Sequence, residues 1–477
     1  MSQNQLKQKL VNVVPSKRQL AWHELEFYAF IHFGINTFYD REWGNGKEDP
    51  ALFNPTQLDA EQWVKSIKAS GMTGILLTCK HHDGFCLWPS AYTEFSVKNS
   101  PYKNGQGDVV KELATACAKH DMKFGVYLSP WDQNSLVYGE GKAYDDYFIN
   151  QLTELLTNYG SIFSVWFDGA CGEGPSGKKQ VYDWNRYYAC IRELQPEAVI
   201  NICGPDVRWC GNEAGHCRSS EWNIVPSRLA DPSYVAENSQ QQDDEAFRER
   251  PVTCMDQDLG SLEVLKDEKD FIWYPAEVDT SIRPGWFYHK HEDDKVRSLD
   301  TLLDIYYNSV GGNASLLLNI PVDQRGLVHE NEVERLAQMG DYIKQTFASN
   351  IAPNSCVTIT SQYESDYDVK HVLTQEATYF KPAKDEECVT LHFQLDKEYS
   401  INHVVLQEQL MESQRIEAFE IWVKENDEMK KVYNNTVVGS KRICKFDTVT
   451  TDQVEIRITA SRIYPTLKFV GIYEVKN

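Results

Sequence analysis

Ser164-Val165-Trp166-Phe167-Asp168-Gly169-Ala170-Cys171 is the stretch that decides how the first two-thirds of this 477-residue chain is read. An apolar run that starts at Ile162 ends in a carboxylate followed at once by glycine. A strand covered on both faces is apolar almost throughout, and glycine lets the chain turn as soon as such a strand ends. The Asp168 side chain is therefore expected at the C-terminal mouth of a buried parallel strand, where barrels of alternating strands and helices place their working groups. An isolated Asp-Gly would be a plain turn, so the reading depends on its surroundings.

Similar runs occur on both sides, at residues 28–38, 74–80, 123–129, 198–203, 271–278 and 315–321. Segments of helical period separate them. Asp59 and Asp108 can N-cap two of these helices, and Gly71 and Gly160 can end two. Strand–helix repetition over some 300 residues predicts an α/β fold, a (β/α)8-like TIM barrel with incomplete helices in its second half. Residues 204–250 and 283–294 are long, polar and rich in aromatics, and read as functional loops. Beyond residue 350 the period becomes two, as in Val454-Glu455-Ile456-Arg457-Ile458. The expected division is a catalytic barrel at 1–349 and an all-β sandwich at 350–477. Eleven of the twelve tryptophans precede the junction, so the aromatic machinery belongs to the barrel.

The net charge of −22 disfavours nucleic acid and anionic membranes as partners. No apolar run is long enough to span a bilayer, and no signal-peptide core is visible at the N-terminus. The twelve cysteines include no Cys-x-x-Cys pair. Cys203, Cys210 and Cys217 with His216 lack the short paired spacing of a zinc site, so neither a metal nor another cofactor is expected there.

The ends of the runs collect His32, then Lys80-His81-His82-Asp83, then Tyr127 with Trp131-Asp132, and then Asp168. Later come Glu213, Tyr274, Glu277, Asp279, Arg283 and Trp286. Imidazoles hydrogen-bond hydroxyls, indoles pack on the apolar face of a sugar ring, and two carboxylates can divide the cleavage of a glycosidic bond. The blander readings are a metal at His81-His82-Asp83 and a solvated loop at His289 and His291. Adjacent histidines on a strand point to opposite sides, which argues against the metal. Glu42-Trp43 alone would be read as turn residues.

Taken in order, Ile31-His32-Phe33-Gly34, Glu42-Trp43, Lys80-His81-His82-Asp83-Gly84-Phe85, Phe124-Gly125-Val126-Tyr127, Trp166-Phe167-Asp168-Gly169 and Leu317-Leu318-Asn319-Ile320-Pro321-Val322-Asp323 resemble glycoside hydrolase family 29, the retaining α-L-fucosidases. The resemblance implies that Asp168 is the nucleophile and that His32, Glu42, Trp43, His81, His82, Tyr127 and Trp166 form the sugar pocket, to which Trp286 is added as a substrate-binding candidate from its place at a later strand end. Gly211-Asn212-Glu213-Ala214-Gly215 resembles the subgroup acting on α-1,3/1,4-linked fucose of branched glycans, which implies Glu213 as acid/base, with Glu221 and Glu277 as the alternatives. Phe33, Trp43 and Trp286 are candidates for the apolar wall facing the fucose methyl. The family implies a periplasmic or extracellular setting and a discoidin-like C-terminal module, read here as a buttress rather than a lectin. The competing functions are another retaining glycosidase, such as an α-galactosidase, and a non-catalytic carbohydrate-binding protein. Asn313-Ala314-Ser315 and Asn434-Asn435-Thr436 fit glycosylation acceptors.

Overall fold

The computed structural model describes residues 2–234, 258–383 and 385–475. Residues 235–250 of the long polar loop lie outside them. Eight parallel strands form one sheet: β1 (Phe27–Ile31), β2 (Gly74–Lys80), β3 (Lys123–Leu128), β4 (Ser164–Phe167), β5 (Val199–Ile202), β6 (Arg208–Trp209), β9 (Ala276–Ser281) and β10 (Ser315–Asn319). Their order is β5-β4-β3-β2-β1-β10-β9-β6. A parallel bridge between Asn201 and Val207 brings the two edges together, so the barrel is nearly closed. β1, β2, β4, β5, β9 and β10 are buried along their whole length, which is why they read as continuous runs.

The helices packed outside begin where their caps predict. Asp59 accepts from the backbone N–H groups of Glu61 and Gln62 ahead of helix Ala60–Ala69, and Asp108 accepts from Lys111 N–H ahead of Val109–Lys119. Helices Lys142–Asn158, Trp184–Leu194, Leu299–Ser309 and Glu330–Thr346 follow. Regularity lapses after β5, which leads to β6 with no helix between them.

The runs at 28–38 and 271–278 are not single strands. The first ends at Ile31, and Ile35–Tyr39 is a short helix. In the second, β8 (Phe271–Trp273) pairs antiparallel with β7 (Ile224–Pro226) outside the barrel. Pro275, which lacks an N–H, separates β8 from β9, and its carbonyl accepts from Arg208 N–H at 2.9 Å.

The C-terminal part is antiparallel: β11 (Ser355–Ile359), β12 (Val389–Gln407), β13 (Ile416–Glu425), β14 (Glu428–Asn435), β15 (Arg442–Ser461) and β16 (Phe469–Glu474). β12 and β15 are long and change register midway, so their two halves pair with different neighbours. This part packs hard against the barrel. Val405, Ile443, Phe469 and Tyr473 belong to the barrel's own apolar core. Ile443 N–H donates to Gly311 O at 3.1 Å, and Ser440 N–H donates to Asn313 Oδ1 at 2.7 Å. Asn313 is 1% exposed and also donates to Glu221 O, so the first glycosylation triplet is closed to modification.

Glu408, at the end of β12, holds this region together. Its buried carboxylate accepts backbone N–H groups from Arg415 (2.7 Å), Ile416 (2.9 Å) and Gly439 (2.6 Å). Replacement by alanine would strand three buried donors, at about 1–3 kcal/mol each. Glu408→Ala is expected to lower the melting temperature by several degrees in a thermal scan; an unchanged midpoint would mean water replaces the carboxylate at no cost.

Candidate active site

The floor of the barrel mouth is a polar knot. Glu277, fully buried on β9, accepts from Trp166 Nε1–H at 2.7 Å, from Asn201 Nδ2–H at 2.8 Å and from the Tyr28 hydroxyl. Burial first, and then the neighbouring Asp279 carboxylate, push its pKa well up. Trp166, fixed in this way, stacks on Tyr127 with ring centroids 5.4 Å apart. The Tyr127 hydroxyl donates to Asp168 Oδ2 at 3.0 Å, while Ala170 N–H holds Oδ1 at 2.8 Å. Asp168 thus stands just past the tip of β4 with its side chain a quarter exposed, aimed by two donors. Trp166 is 5% exposed, so it supports the pocket more than it lines it.

Three histidines surround Asp168. His82 Nε2 lies 3.7 Å from Asp168 Oδ2, and its Nδ1 lies 2.7 Å from Ser129 Oγ. That hydroxyl donates to Trp131 O at 2.7 Å, so it accepts from His82 Nδ1–H, and the lone pair of neutral His82 sits on Nε2. The same logic fixes His32. Asn319 Nδ2 donates to Trp286 O at 2.8 Å, so Asn319 Oδ1 accepts from His32 Nδ1–H at 2.8 Å. Burial lowers the pKa of all three rings, His32 to about 4 and His81 well below the usual range, so they are neutral near pH 7.

β2 stops at Lys80, so the alternation expected of His81 and His82 no longer applies. Their rings lie 4.1 Å apart on the same side. Lys80 turns outward to Asp132 and Gln151, both at 2.9 Å. His81, His82 and Asp168 offer donor atoms within 4.8 Å of one another, close enough for one cation or for the hydroxyls of a small polyol.

Loops complete the walls. Trp43 meets the rings of His82 (5.3 Å) and Trp131 (5.4 Å) edge-on. Trp286 lies 5.1 Å from His32, and its Nε1–H reaches Glu213 Oε2 at 3.3 Å. Glu213 is held from behind by the Thr280 hydroxyl, which donates to its carbonyl at 2.7 Å. Glu42 accepts from the backbone N–H groups of Trp286 (2.9 Å) and Phe287 (3.1 Å). Glu221 is elsewhere: it is fully buried and clasped by Arg208 and Arg218, whose charges outweigh the effect of burial and hold its pKa down.

Two expectations fail. Phe33, beyond the end of β1, faces the outer layer, packed on Phe53 (5.5 Å) and Trp63 (5.6 Å); Trp131 takes a place in the aromatic wall instead. His289 is no solvated loop residue. It is 7% exposed and bridges Asp40 (2.6 Å) and Glu42 (2.7 Å). Asp40, His289 and His291 also lie close enough to share an ion, but both nitrogens of His289 are taken by carboxylates. No local signal in the sequence marks it, since Glu292, Asp293 and Asp294 beside it read as solvated. Cys203, Cys210 and Cys217 form no donor cluster among the described residues.

The family model for α-L-fucosidase matches residues 3–346. Alpha-L-fucosidase 1 of Arabidopsis thaliana is 38% identical over 96% of this chain and 87% of its own length. A solved structure from Bacteroides ovatus, provisionally assigned as an α-L-fucosidase, is 47% identical with a TM-score of 0.87, covering all of this chain and 77% of its own. A Ruminococcus gnavus family 29 fucosidase in complex with fucose is 29% identical with a TM-score of 0.84, covering 98% and 96%. With a match that runs through the whole barrel, including the acid-tipped β4 and the histidines beside it, this chain belongs to the α-L-fucosidases of glycoside hydrolase family 29.

Proposed function

We propose that the chain releases α-1,3- or α-1,4-linked L-fucose from branched glycans by double displacement, with Asp168 as nucleophile and Glu213 as acid/base. The observation that carries this is the placement of Asp168 among three neutral histidines, opposite a loop carboxylate that the same Trp286 touches. Asp168 attacks C1 of the fucosyl unit as the bond from C1 to the aglycone oxygen breaks, and protonated Glu213 gives that oxygen its proton. Water then attacks C1, Glu213 takes its proton, and the bond to Asp168 breaks. Two inversions retain configuration, which calls for carboxyl groups about 5–5.5 Å apart in the closed site.

Neutral His32 and His82, with Nδ1–H already engaged, can accept sugar hydroxyls at Nε2. Trp43, Trp131 and Trp286 suit the apolar face and methyl of fucose. Access supports the choice of acid/base. Glu277 is sealed beneath Trp166 and Glu221 is locked in ion pairs, whereas Glu213 rides a loop that can meet an aglycone. That loop is stiff: Ala214 N–H bonds Asn212 Oδ1 at 2.9 Å, and Gly211 and Gly215 adopt positive φ. At Gly215 a Cβ would also lie 2.7 Å from Ile305. Branched substrates, not chain flexibility, would then select the linkage.

The division at residue 350 and the buttress role of the C-terminal part belong to the same reading. Trp422 is covered by the Arg457 guanidinium at 4.1 Å and bonded to Glu420, which leaves it poorly placed to stack on a sugar. None of the helices among the described residues is long and apolar enough to cross a membrane. A setting in the periplasm or outside the cell fits a glycan substrate.

Asp168→Gly is expected to lower kcat on an aryl α-L-fucoside by on the order of 10⁴-fold. Azide should restore part of it, giving the β-fucosyl azide. In Glu213→Ala, azide should instead attack the fucosyl-enzyme and give the α-azide. The anomer identified by NMR assigns each role; a folded Asp168 variant without rescue removes that residue from its role. A branched Lewis-type trisaccharide and an α-1,2-fucosylated disaccharide, offered side by side, test linkage. Release from the trisaccharide alone is expected, and equal cleavage of both sinks the subgroup assignment. Aryl α-galactoside as a control separates the neighbouring glycosidase activity.

A further inference from the structure

The loop that carries Trp286 is held almost entirely through its backbone. Three consecutive N–H groups are bound by carboxylates: Gly285 by Glu292 of the same loop (3.1 Å), and from outside it Trp286 by Glu42 Oε2 (2.9 Å) and Phe287 by Glu42 Oε1 (3.1 Å). Their carbonyls are held too, Gly285 O by Ser281 Oγ (2.7 Å) and Trp286 O by Asn319 Nδ2 (2.8 Å). The fit requires glycine at 285, where a Cβ would lie 2.6 Å from Glu42 Oε1 and 2.9 Å from His289 Cδ2. Of the two rings presented by this loop, Trp286 is a pocket wall that lies against His32 and bonds Glu213, whereas Phe287, 1% exposed, backs the pocket histidines at 5.3 Å from His32 and 5.1 Å from His81.

What orients Glu42 is His289. Its Nε2 lies 2.7 Å from Glu42 Oε1 and its Nδ1 lies 2.6 Å from Asp40 Oδ1. The geometry points to His289 as a positioning residue of the fucose pocket: as an imidazolium donating to Asp40 and Glu42 together, it fixes Glu42 on the backbone of Trp286 and Phe287 and so sets Trp286 against the sugar and Phe287 behind His32 and His81. This rests on the reading of the mouth as a fucoside pocket. His289 touches no substrate itself; it acts through Glu42.

A histidine can donate at both nitrogens only when protonated. The groups facing it are Asp40 and Glu42 from the segment after β1, Glu292 and His291 from its own loop, and Arg283, whose Nη1 donates to His289 O at 3.2 Å. The bond to Glu42 pushes the His289 pKa up to about 9 against the effect of burial, with help from Asp40 and the Glu292 charge. A pKa raised above the ordinary 6.5 means the contribution is complete below pH 6.5 and is lost as pH rises through about 9. Above that, one N–H remains and one carboxylate loses its donor.

The test is fucose affinity by calorimetry, together with kcat and KM on an aryl α-L-fucoside, from pH 6 to 10. The wild type is expected to hold fucose steadily at neutral pH and to weaken roughly tenfold above about pH 9, the scale of one charge-assisted hydrogen bond. His289→Gln should bind about tenfold more weakly throughout, mostly as a KM effect, and show no alkaline step. Asp40→Asn serves if that variant does not fold. Asp40 is exposed and sits at φ 52°, which asparagine tolerates, and losing its charge should move the step to lower pH. Wild-type affinity and an intact step in His289→Gln, whatever its melting temperature, would reduce His289 to a structural role. An unmoved step in Asp40→Asn would assign the titration to another group and overturn the inference. A wild type that neither binds fucose nor cleaves the fucoside would instead refute the functional reading, from that arm alone.

Discussion

A carboxylate without water must be met by donors, and Glu277 is met by three, each from a different strand. Tyr28 comes from β1, Trp166 from β4 and Asn201 from β5, and Glu277 itself stands on β9. This one group therefore ties opposite sides of the barrel together across its axis. It also fixes the pocket at one remove. The Trp166 indole cannot tilt without losing its bond to Glu277, Tyr127 stacks on that indole, and the Tyr127 hydroxyl holds Asp168. The position of the attacking carboxylate is thus set from below by a chain of contacts whose root never meets solvent.

The same strand shows why part of the site was legible and part was not. The apolar run at 271–278 suggested a strand ending beside Glu277, which would have put that acid at the mouth. Pro275 breaks the run, and the barrel strand continues to Ser281. At about 3.3 Å per residue, Glu277 then lies about 13 Å below the strand's end, in the interior layer. Asp279, two residues on, occupies the layer above, bonded to Trp209 at 2.8 Å and close enough to Asp168 for their charges to interact. Spacing on the page identifies which residues share a face; it does not tell where the strand stops, and depth follows from where it stops.

Asp168, His32 and the histidine pair were legible because strong apolar runs end on them, so the local sequence contained its own boundary. Phe33 was misplaced because the strand stops at Ile31 and the chain beyond it turns this ring outward onto Phe53 and Trp63. The link from Glu42 to Trp286 joins residues 244 apart and has no local signature at all. Neither has the burial of His289, whose neighbours Glu292, Asp293 and Asp294 make the segment look solvated. Glu292 accepts from the Gly285 N–H and Asp293 from Arg283, which composition alone could not reveal.

Long-range closure also gives the C-terminal sheet a physical connection to the site. β10 pairs with β1, and Asn319 at its end orients His32, 287 residues earlier, while also holding the carbonyl of Trp286. The segment entering β10 is gripped from the C-terminal side by the backbone of Ile443 on Gly311 and of Ser440 on Asn313. Asn313 sits at φ 73°, a conformation that a tight turn into a strand requires and that Ser440 and Glu221 hold through its side-chain amide. A displacement of the sheet would therefore reach the pocket along β10 and move His32 and the Trp286 loop together. That coupling favours a rigid seat for β10 over a loosely tethered module, and it is met by apolar residues of the C-terminal strands that pack into the barrel's own core.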